Sequence, residues 1–331
     1  MIDPGVAERS AGDPPLAGRP SELSDSAGDP SPAGRPSALR VWILAIRPAT
    51  LPAAIAPVLV GLGVGLSANV FRPGPALGCL AVALLLQVAA NLANDLADFR
   101  SGADSADRLG PVRVAVTGLA SPRALTIATA LVIGLACLVG IYLASIGGIV
   151  LIALGALAIV SALAYTGGPW PYGYRGLGEV FVFVFFGLVA VIGTAYLQTG
   201  VVDALAVLAA LPMGCLAASI LVVNNLRDID GDRRAGKRTL VVSFGPGFAR
   251  GEYVAMLVVA FAVPVVVWLA GLAQSPAALL PIVAIPLAIP LVRIVLDDGD
   301  ARRLNPVLRG TARLELAVAL LFAAGLAVGG R

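Results

Sequence analysis

The sequence predicts an all-α protein that crosses a membrane several times. Of its 331 residues, 58% are hydrophobic and only 13% are charged, and none is histidine. A water-soluble domain usually carries about 25% charged residues. The apolar residues also fall into a series of segments of about 20 residues, the length that a helix needs to cross a bilayer.

The first 38 residues do not belong to this series. They are rich in Pro, Gly, Ser, Asp and Ala, and AGDPPLAGRPSEL at 11–23 recurs imperfectly as AGDPSPAGRPSAL at 27–39. Such a composition cannot bury a core, and no apolar stretch of a signal peptide follows the charges. We therefore predict a disordered tail over 1–38 and a transmembrane domain over 39–331.

The remaining chain predicts about nine membrane-spanning helices. Two long apolar stretches need an internal break, one at the SIGG sequence that ends at Gly148 and one at Gln274-Ser275-Pro276. The predicted spans are 50–69, 74–95, 122–143, 147–165, 178–199, 203–224, 252–271, 276–296 and 311–329.

The basic residues predict the orientation of these spans. If the tail is cytoplasmic, all of the 23 Lys and Arg residues except Arg72 and Arg331 fall on the cytoplasmic side. An excess of Lys and Arg is typical of the cytoplasmic loops of membrane proteins. Most of these residues are then expected to anchor the topology, and a nucleic-acid partner is not expected.

Histidine is absent, and the three cysteines, Cys79, Cys137 and Cys215, all lie in apolar segments. Zinc and iron–sulfur sites need several such ligands close together. We therefore interpret the cysteines as packing residues.

The densest charge cluster follows the sixth predicted span, in NNLRDIDGDRRAGKRTL at 224–240. Asp228 and Asp232 are four residues apart, so on a continuing helix both carboxylates project from one face. A carboxylate pair beside hydrocarbon is costly unless a cation receives it. Carboxylates with nearby Lys and Arg predict a divalent metal that carries a phosphorylated ligand.

A second acidic cluster ends the second predicted span. Gln87, Asn91, Asn94 and Asp98 share one helical face, Asp95 lies to its side, and Gly102 precedes a further acid, Asp104. The predicted topology puts this cluster on the same membrane side as Asp228 and Asp232. The two clusters could together hold two or more Mg²⁺ ions around one diphosphate.

Two alternatives remain at this point. These residues could simply be polar helix ends at the membrane interface. A secondary transporter would also be polytopic, but its charges would lie in broken helices with internal pseudo-symmetry. Acids gathered at one membrane face, with Lys and Arg behind them, favour an enzyme.

The two motifs, N-D-x-x-D…D and D-x-x-x-D, resemble those of the UbiA superfamily of intramembrane prenyltransferases. The branch of the superfamily that they resemble is the one that prenylates 1,4-dihydroxy-2-naphthoate in menaquinone synthesis. The resemblance covers 40–330 and is carried by RPATLPAAIAPVLVG (47–61), NDLADFRSGAD (94–104), DRLGPVRVAVTG (107–118), YTGGPWPYGYRGLGE (165–179) and NNLRDIDGDRRAGKRTL (224–240).

This resemblance implies a UbiA-like helical bundle in a bacterial inner membrane, with active-site loops on the cytoplasmic side. It implies transfer of a polyprenyl group from a polyprenyl diphosphate to 1,4-dihydroxy-2-naphthoate, with loss of CO₂ and diphosphate. Mg²⁺ is the implied cofactor, and no obligatory protein partner is implied. Another aromatic acceptor (4-hydroxybenzoate, homogentisate or a tetrapyrrole) stays an alternative.

The resemblance also implies the site residues. Asp98, Asp228, Asp232 and Lys237 are the expected catalytic residues, and Lys237 and Arg227 are expected to contact the diphosphate, with Arg175 as a further candidate. Tyr165 would line the pocket or belong to an interfacial belt, and Asn225 would be a ligand or a packing amide. The expected metal and diphosphate ligands are Asn94, Asp98, Asp104, Asp228 and Asp232, with Asp95 as a secondary candidate.

Overall fold

The computed structural model describes residues 36–101, 109–110 and 113–329. Residues 1–35 of the predicted tail lie outside these ranges, as does the predicted ligand Asp104. The tail and its boundary therefore stay predictions.

Within the described ranges the chain forms thirteen α-helices and no strand. A π-helix, Phe183–Val189, joins α6 to α7 without interruption, and a 3₁₀ helix, Pro276–Ala284, leads into α12. The helices are α1 (Ala38–Ile46), α2 (Leu51–Ser67), α3 (Pro73–Ser101), α4 (Pro122–Gly147), α5 (Val150–Ala164), α6 (Gly178–Val182), α7 (Ala190–Thr199), α8 (Ala204–Arg227), α9 (Ile229–Arg234), α10 (Leu240–Phe244), α11 (Pro246–Leu269), α12 (Ile285–Leu296) and α13 (Leu304–Gly329).

The prediction of a polytopic membrane protein is confirmed. Among the residues with described structure, 8 helical segments are long and apolar enough to cross a membrane. The span predicted at 147–165 corresponds to α5, which has only 15 residues. At 1.5 Å per residue α5 is about 22 Å long, less than the roughly 30 Å of a hydrocarbon core. The count of nine is therefore approximate.

Both predicted internal breaks are present, and each has a local cause. Gly148 separates α4 from α5 with φ = 88°, a value that residues with a Cβ rarely adopt. In the second break, the Ser275 side chain accepts the backbone N–H of Ala277 and so caps the 3₁₀ helix. A glycine thus follows the end of α4, and a side-chain cap begins the 3₁₀ helix, where the apolar pattern alone continues.

Two helices extend further than the apolar pattern predicts. The second span was expected to end at residue 95, but α3 continues to Ser101; the last was expected to begin at 311, but α13 begins at Leu304. Asn94, Asp95 and Asp98 therefore all lie on α3, which agrees with the shared helical face predicted for Asn94 and Asp98. The extension is possible because these polar side chains find partners outside the apolar segment, as described below.

The helix α8 lies at the centre of the bundle and packs against α2, α11, α13 and the π-helix. Small residues allow the closest of these contacts. A Cβ added to Gly187 in the π-helix would lie 2.6 Å from the Cα of Gly214 in α8. Membrane helices commonly use such small residues to bring their backbones together. The central position of α8 matters because this helix carries Asn225 and Arg227 to one end of the bundle.

The orientation of the bundle gives a testable prediction. In a background without the three native cysteines, a cysteine introduced at Ala235 should react with an impermeant thiol reagent only from the cytoplasmic side. A cysteine at Ser275 should react only from the opposite side. Labelling of intact and opened cells measures this, and the reverse pattern would contradict a cytoplasmic tail.

Candidate functional site

One tyrosine connects the two acidic clusters. Tyr174 lies in a short 3₁₀ turn, Tyr172–Arg175, and its hydroxyl donates to Oδ1 of Asp98 at 3.3 Å. The ammonium of Lys237 lies 4.7 Å from the centre of the Tyr174 ring and 3.0 Å from Oδ1 of Asp232. The structure thus brings together Asp98 from α3, Asp232 from α9 and Lys237 from the loop after α9.

The first cluster is held by the segment that precedes α4. Asp98 is only 2% exposed and forms an ion pair with Arg113. Asp95 is fully buried, and its two carboxylate oxygens accept the backbone N–H groups of Val114 at 3.0 Å and Ala115 at 3.2 Å. Asp95, a secondary candidate for ligation, therefore anchors the backbone that positions Arg113.

The amide of Asn94 faces a loop from another part of the chain. Its Oδ1 accepts the hydroxyl of Thr166 at 2.8 Å, in the loop that follows α5. This contact fixes the side-chain rotamer of Asn94 one helical turn before Asp98. The loop that carries Thr166 also leads to Tyr174.

The second cluster begins with a buried ion pair at the end of α8. Arg227 is 2% exposed, and its Nε and Nη2 donate to the two carboxylate oxygens of Asp228 at 2.8 and 2.5 Å. Nη2 also donates to Asn224 at 2.8 Å, and Nη1 donates to Asn305 of α13 at 3.0 Å. An arginine has five N–H donors, and these contacts use four of them. Arg227 therefore holds Asp228 in position. The contact of Arg227 with a diphosphate, which the resemblance implies, stays a prediction.

Lys237 forms an ion pair with Asp232 and also interacts electrostatically with Asp98 of the other cluster. Burial alone would lower the pKa of its ammonium, but the carboxylate of Asp232, the ring of Tyr174 and the carboxylate of Asp98 outweigh burial and raise the pKa. A raised pKa keeps Lys237 charged at neutral pH. This side chain can therefore offer a permanent positive charge between Asp98 and Asp232.

Tyr165 begins a row of aromatic rings that leads from the clusters into the bundle. Its ring meets that of Tyr172 edge-on at 5.5 Å, Tyr172 stacks on Phe181 at 4.0 Å, and Phe181 is followed by Phe185 at 6.2 Å. Burial and the nearby carboxylates, that of Glu179 foremost, raise the pKa of Tyr165 well above its usual value. Tyr165 therefore stays a neutral phenol.

Two predicted site residues lie away from this constellation. Arg175 is exposed, and its guanidinium lies over the ring of Trp170 at 5.0 Å. Asn225 is buried and donates to Oε1 of Glu179 at 2.8 Å, which joins α8 to α6. This contact favours the packing role of Asn225 over direct ligation.

The profile of the UbiA prenyltransferase family matches residues 54–314 of the chain. The chain belongs to this family. A relative from Mycobacterium tuberculosis, 1,4-dihydroxy-2-naphthoate octaprenyltransferase, is 43% identical over 87% of this chain and 97% of its own length. The protein of the same name from Escherichia coli is 37% identical over 87% of this chain and 95% of its own length.

Solved structures of UbiA homologues share the fold. The apo structure from Aeropyrum pernix K1 superposes with a TM-score of 0.62 at 20% identity, over 83% of this chain and 97% of that one. A homologue from Archaeoglobus fulgidus, bound to GPP and Mg²⁺, gives a TM-score of 0.59 at 17% identity, over 85% of this chain and 99% of that one. The predicted UbiA-like bundle is therefore confirmed.

The donor atoms of this UbiA family member fit Mg²⁺ in type. In the described part of the chain, no three acidic side chains gather tightly enough to enclose one ion. Mg²⁺ usually binds through one or two carboxylates and completes its shell with phosphate oxygens and water. Asp98, Asp228 and Asp232 supply hard oxygen donors of this kind, and each is held in place by its own cation.

Sequence reasoning missed three residues that organise the site: Tyr174, Arg113 and Asn305. Tyr174 stands beside the predicted Arg175, but the charge of Arg175 was the stronger signal. Asn305 donates to the backbone carbonyl of Leu109 at 3.0 Å while it accepts from Arg227, so it ties the end of α8 and the backbone at Leu109 to α13. An amide in a strongly basic segment was the only signal for Asn305.

The link through Tyr174 can be tested by mutation. Tyr174→Phe removes the hydroxyl that donates to Asp98 and should lower kcat by about tenfold, the lower end of the effect of one hydrogen bond to a charged group. Tyr174→Leu also removes the ring beneath Lys237 and should lower kcat further. Tyr196→Phe is the matched control, because that hydroxyl bonds the carbonyl of Gly147 at the far end of α4. Steady-state prenyl transfer measures all three, and unchanged kcat in Tyr174→Leu would contradict the link.

Proposed function

We propose that this protein transfers a polyprenyl group from an allylic polyprenyl diphosphate to 1,4-dihydroxy-2-naphthoate, with release of CO₂ and diphosphate. The product would be demethylmenaquinol, an intermediate of menaquinone synthesis. The observation that carries the proposal is the 43% identity to the M. tuberculosis octaprenyltransferase over 87% of this chain and 97% of that one.

The geometry supports the diphosphate half of this reaction. Asp98 and Asp232 flank Lys237, so the site offers carboxylates for a cation and an ammonium for phosphate oxygens. We propose Mg²⁺ as the cofactor, in keeping with the A. fulgidus homologue bound to GPP and Mg²⁺. When bound, Mg²⁺ would neutralise the diphosphate charge that develops as the allylic C–O bond breaks.

The chain's own residues would hold and shield the reacting groups. Lys237 would bind the diphosphate that leaves, while Arg227 and Arg113 hold Asp228 and Asp98 in fixed positions. The row from Tyr165 to Phe185 would lie along the isoprenoid chain, and aromatic faces can stabilise an allylic cation. Apolar walls would keep out water, which would otherwise capture that cation.

The stoichiometry of CO₂ release tests the acceptor. The purified protein is incubated with Mg²⁺, a long-chain prenyl diphosphate and dihydroxynaphthoate labelled in its carboxyl group. Labelled CO₂ and unlabelled prenylated naphthalenediol should appear in a one-to-one ratio. If 4-hydroxybenzoate were the better acceptor and kept its carboxylate, the protein would be a prenyltransferase of another pathway.

The membrane in which the protein lies is proposed from its helices and its relatives. The protein is a multi-pass membrane protein, and its relatives in M. tuberculosis and E. coli are bacterial. We propose the bacterial inner membrane, with the tail and both acidic clusters on the cytoplasmic side. The cysteine-labelling experiment above tests this orientation independently of the acceptor.

A further inference from the structure

The outward face of α13 is charged near one end and apolar along the rest. Arg309 and Arg313 are both exposed and four residues apart. Leu320, which is 52% exposed, and the exposed Ala324 follow on the same helical face, because their offsets from Arg309 are close to whole turns. An exposed apolar face on a membrane-spanning helix is in contact with lipid, so the two arginines are at the edge of a lipid-facing surface.

The position of the arginines along α13 places them near the lipid headgroups. Asn305 marks the end of the bundle that carries the site, because it accepts a hydrogen bond from Arg227. At 1.5 Å per residue, Arg313 lies about 12 Å from Asn305 and about 24 Å from Gly329. With a hydrocarbon core about 30 Å thick, Arg309 and Arg313 fall at its border with the headgroups.

Two arginines at this end of the bundle have acidic partners. Arg303 forms an ion pair with Asp297, and Arg250 with Asp298 at 2.6 Å. Across 36–101, 109–110 and 113–329, no carboxylate lies within ion-pair distance of Arg309 or Arg313. Two like charges at i and i+4 repel each other, and charge at a lipid-facing surface is costly without a counter-charge.

We propose that Arg309 and Arg313 together bind the phosphate of an anionic phospholipid. A guanidinium fork matches the geometry of phosphate oxygens, and two forks one helical turn apart can hold a single phosphate. The acyl chains would then run along Leu320 and Ala324. The helix α12 forms one wall beside the headgroup, because a Cβ on Gly310 would lie only 2.5 Å from Cδ2 of Leu291.

The test uses the full chain in nanodiscs of phosphatidylcholine with a variable fraction of phosphatidylglycerol. Native mass spectrometry after release into detergent counts the phosphatidylglycerol molecules that stay bound. The double variant Arg309→Gln/Arg313→Gln should weaken phosphatidylglycerol binding about 30-fold, since each arginine near an anionic surface contributes about a factor of five. Phosphatidylcholine retention should not change.

A second double variant, Arg123→Gln/Arg293→Gln, controls for net charge. It also removes two exposed arginines, but these stand singly on α4 and α12. Its phosphatidylglycerol affinity should stay close to that of the wild type. An equal loss in both double variants would mean general attraction to the surface and would overturn the proposal, as would complete displacement of the lipid by inorganic phosphate. Thermal unfolding in pure phosphatidylcholine should be the same for all three proteins, which separates lost binding from lost folding.

Discussion

Replacing Asp98 with Asn should lower kcat for prenyl transfer by about a thousandfold. Asp98 is 2% exposed and receives both the Arg113 guanidinium and the Tyr174 hydroxyl, so its carboxylate is held in one position beside Lys237. Loss of one fixed group that acts on developing charge typically costs about 10²–10³ in kcat. Asn keeps the shape of the side chain and removes only its charge and basicity. Steady-state transfer to dihydroxynaphthoate measures the effect.

Asp230→Asn provides the matched control. Asp230 belongs to the same acidic motif, but its side chain is 77% exposed and forms only a 3.5 Å pair with the exposed Arg233. Such a surface pair contributes little, so kcat should stay near that of the wild type. EDTA should stop the wild-type reaction, and added Mg²⁺ should restore it. Substantial turnover of Asp98→Asn, or full wild-type activity in EDTA, would contradict the proposed site.

The sequence predicted the transmembrane fold well because the signal for it is local. Each span needs about 20 apolar residues, and the break at Gly148 needs only a residue that tolerates positive φ. The polar spacing predicts that the helix continues past the apolar span to Asp98, but what holds the last turns of α3 is distant in sequence. Asp95 is satisfied by backbone N–H groups 19 and 20 residues later, and no periodicity within α3 indicates those partners.

The site shows the same division between local and distant information. The spacing of Asp228 and Asp232, and of Asn94 and Asp98, indicated the chemistry of the ligands. Arg227 contacts both Asp228 and Asn305, and Asn305 is 78 residues away, so no local pattern around Arg227 indicates this arrangement. Tyr174 was missed for the same reason, since its two partners lie on α3 and after α9.

Removal of the Arg227 guanidinium should destabilise the fold as well as the site. Arg227→Met keeps the length of the side chain but removes its hydrogen-bond donors. The carboxylate of Asp228, which is 17% exposed, then loses the guanidinium that binds both of its oxygens. Asn224 and Asn305 lose the donor that they share. Breaking a buried pair by removing one partner costs about 3–5 kcal/mol. The free energy of unfolding in detergent micelles should fall by that amount, and prenyl transfer should be lost at temperatures where the protein is still folded.

Two further variants separate charge burial from the loss of a surface arginine. Arg233→Met removes an arginine whose side chain is 59% exposed and should change the free energy of unfolding by less than about 1 kcal/mol. Arg227→Met/Asp228→Asn removes both charges of the buried pair, so it should regain part of the lost stability while it stays inactive. Stability should be partly regained because the single variant is destabilised by a carboxylate without a counter-charge. The double variant should stay inactive because Asp228 itself belongs to the proposed site. If Arg227→Met were as stable as Arg233→Met, the pair of Arg227 with Asp228 would not stabilise the folded protein.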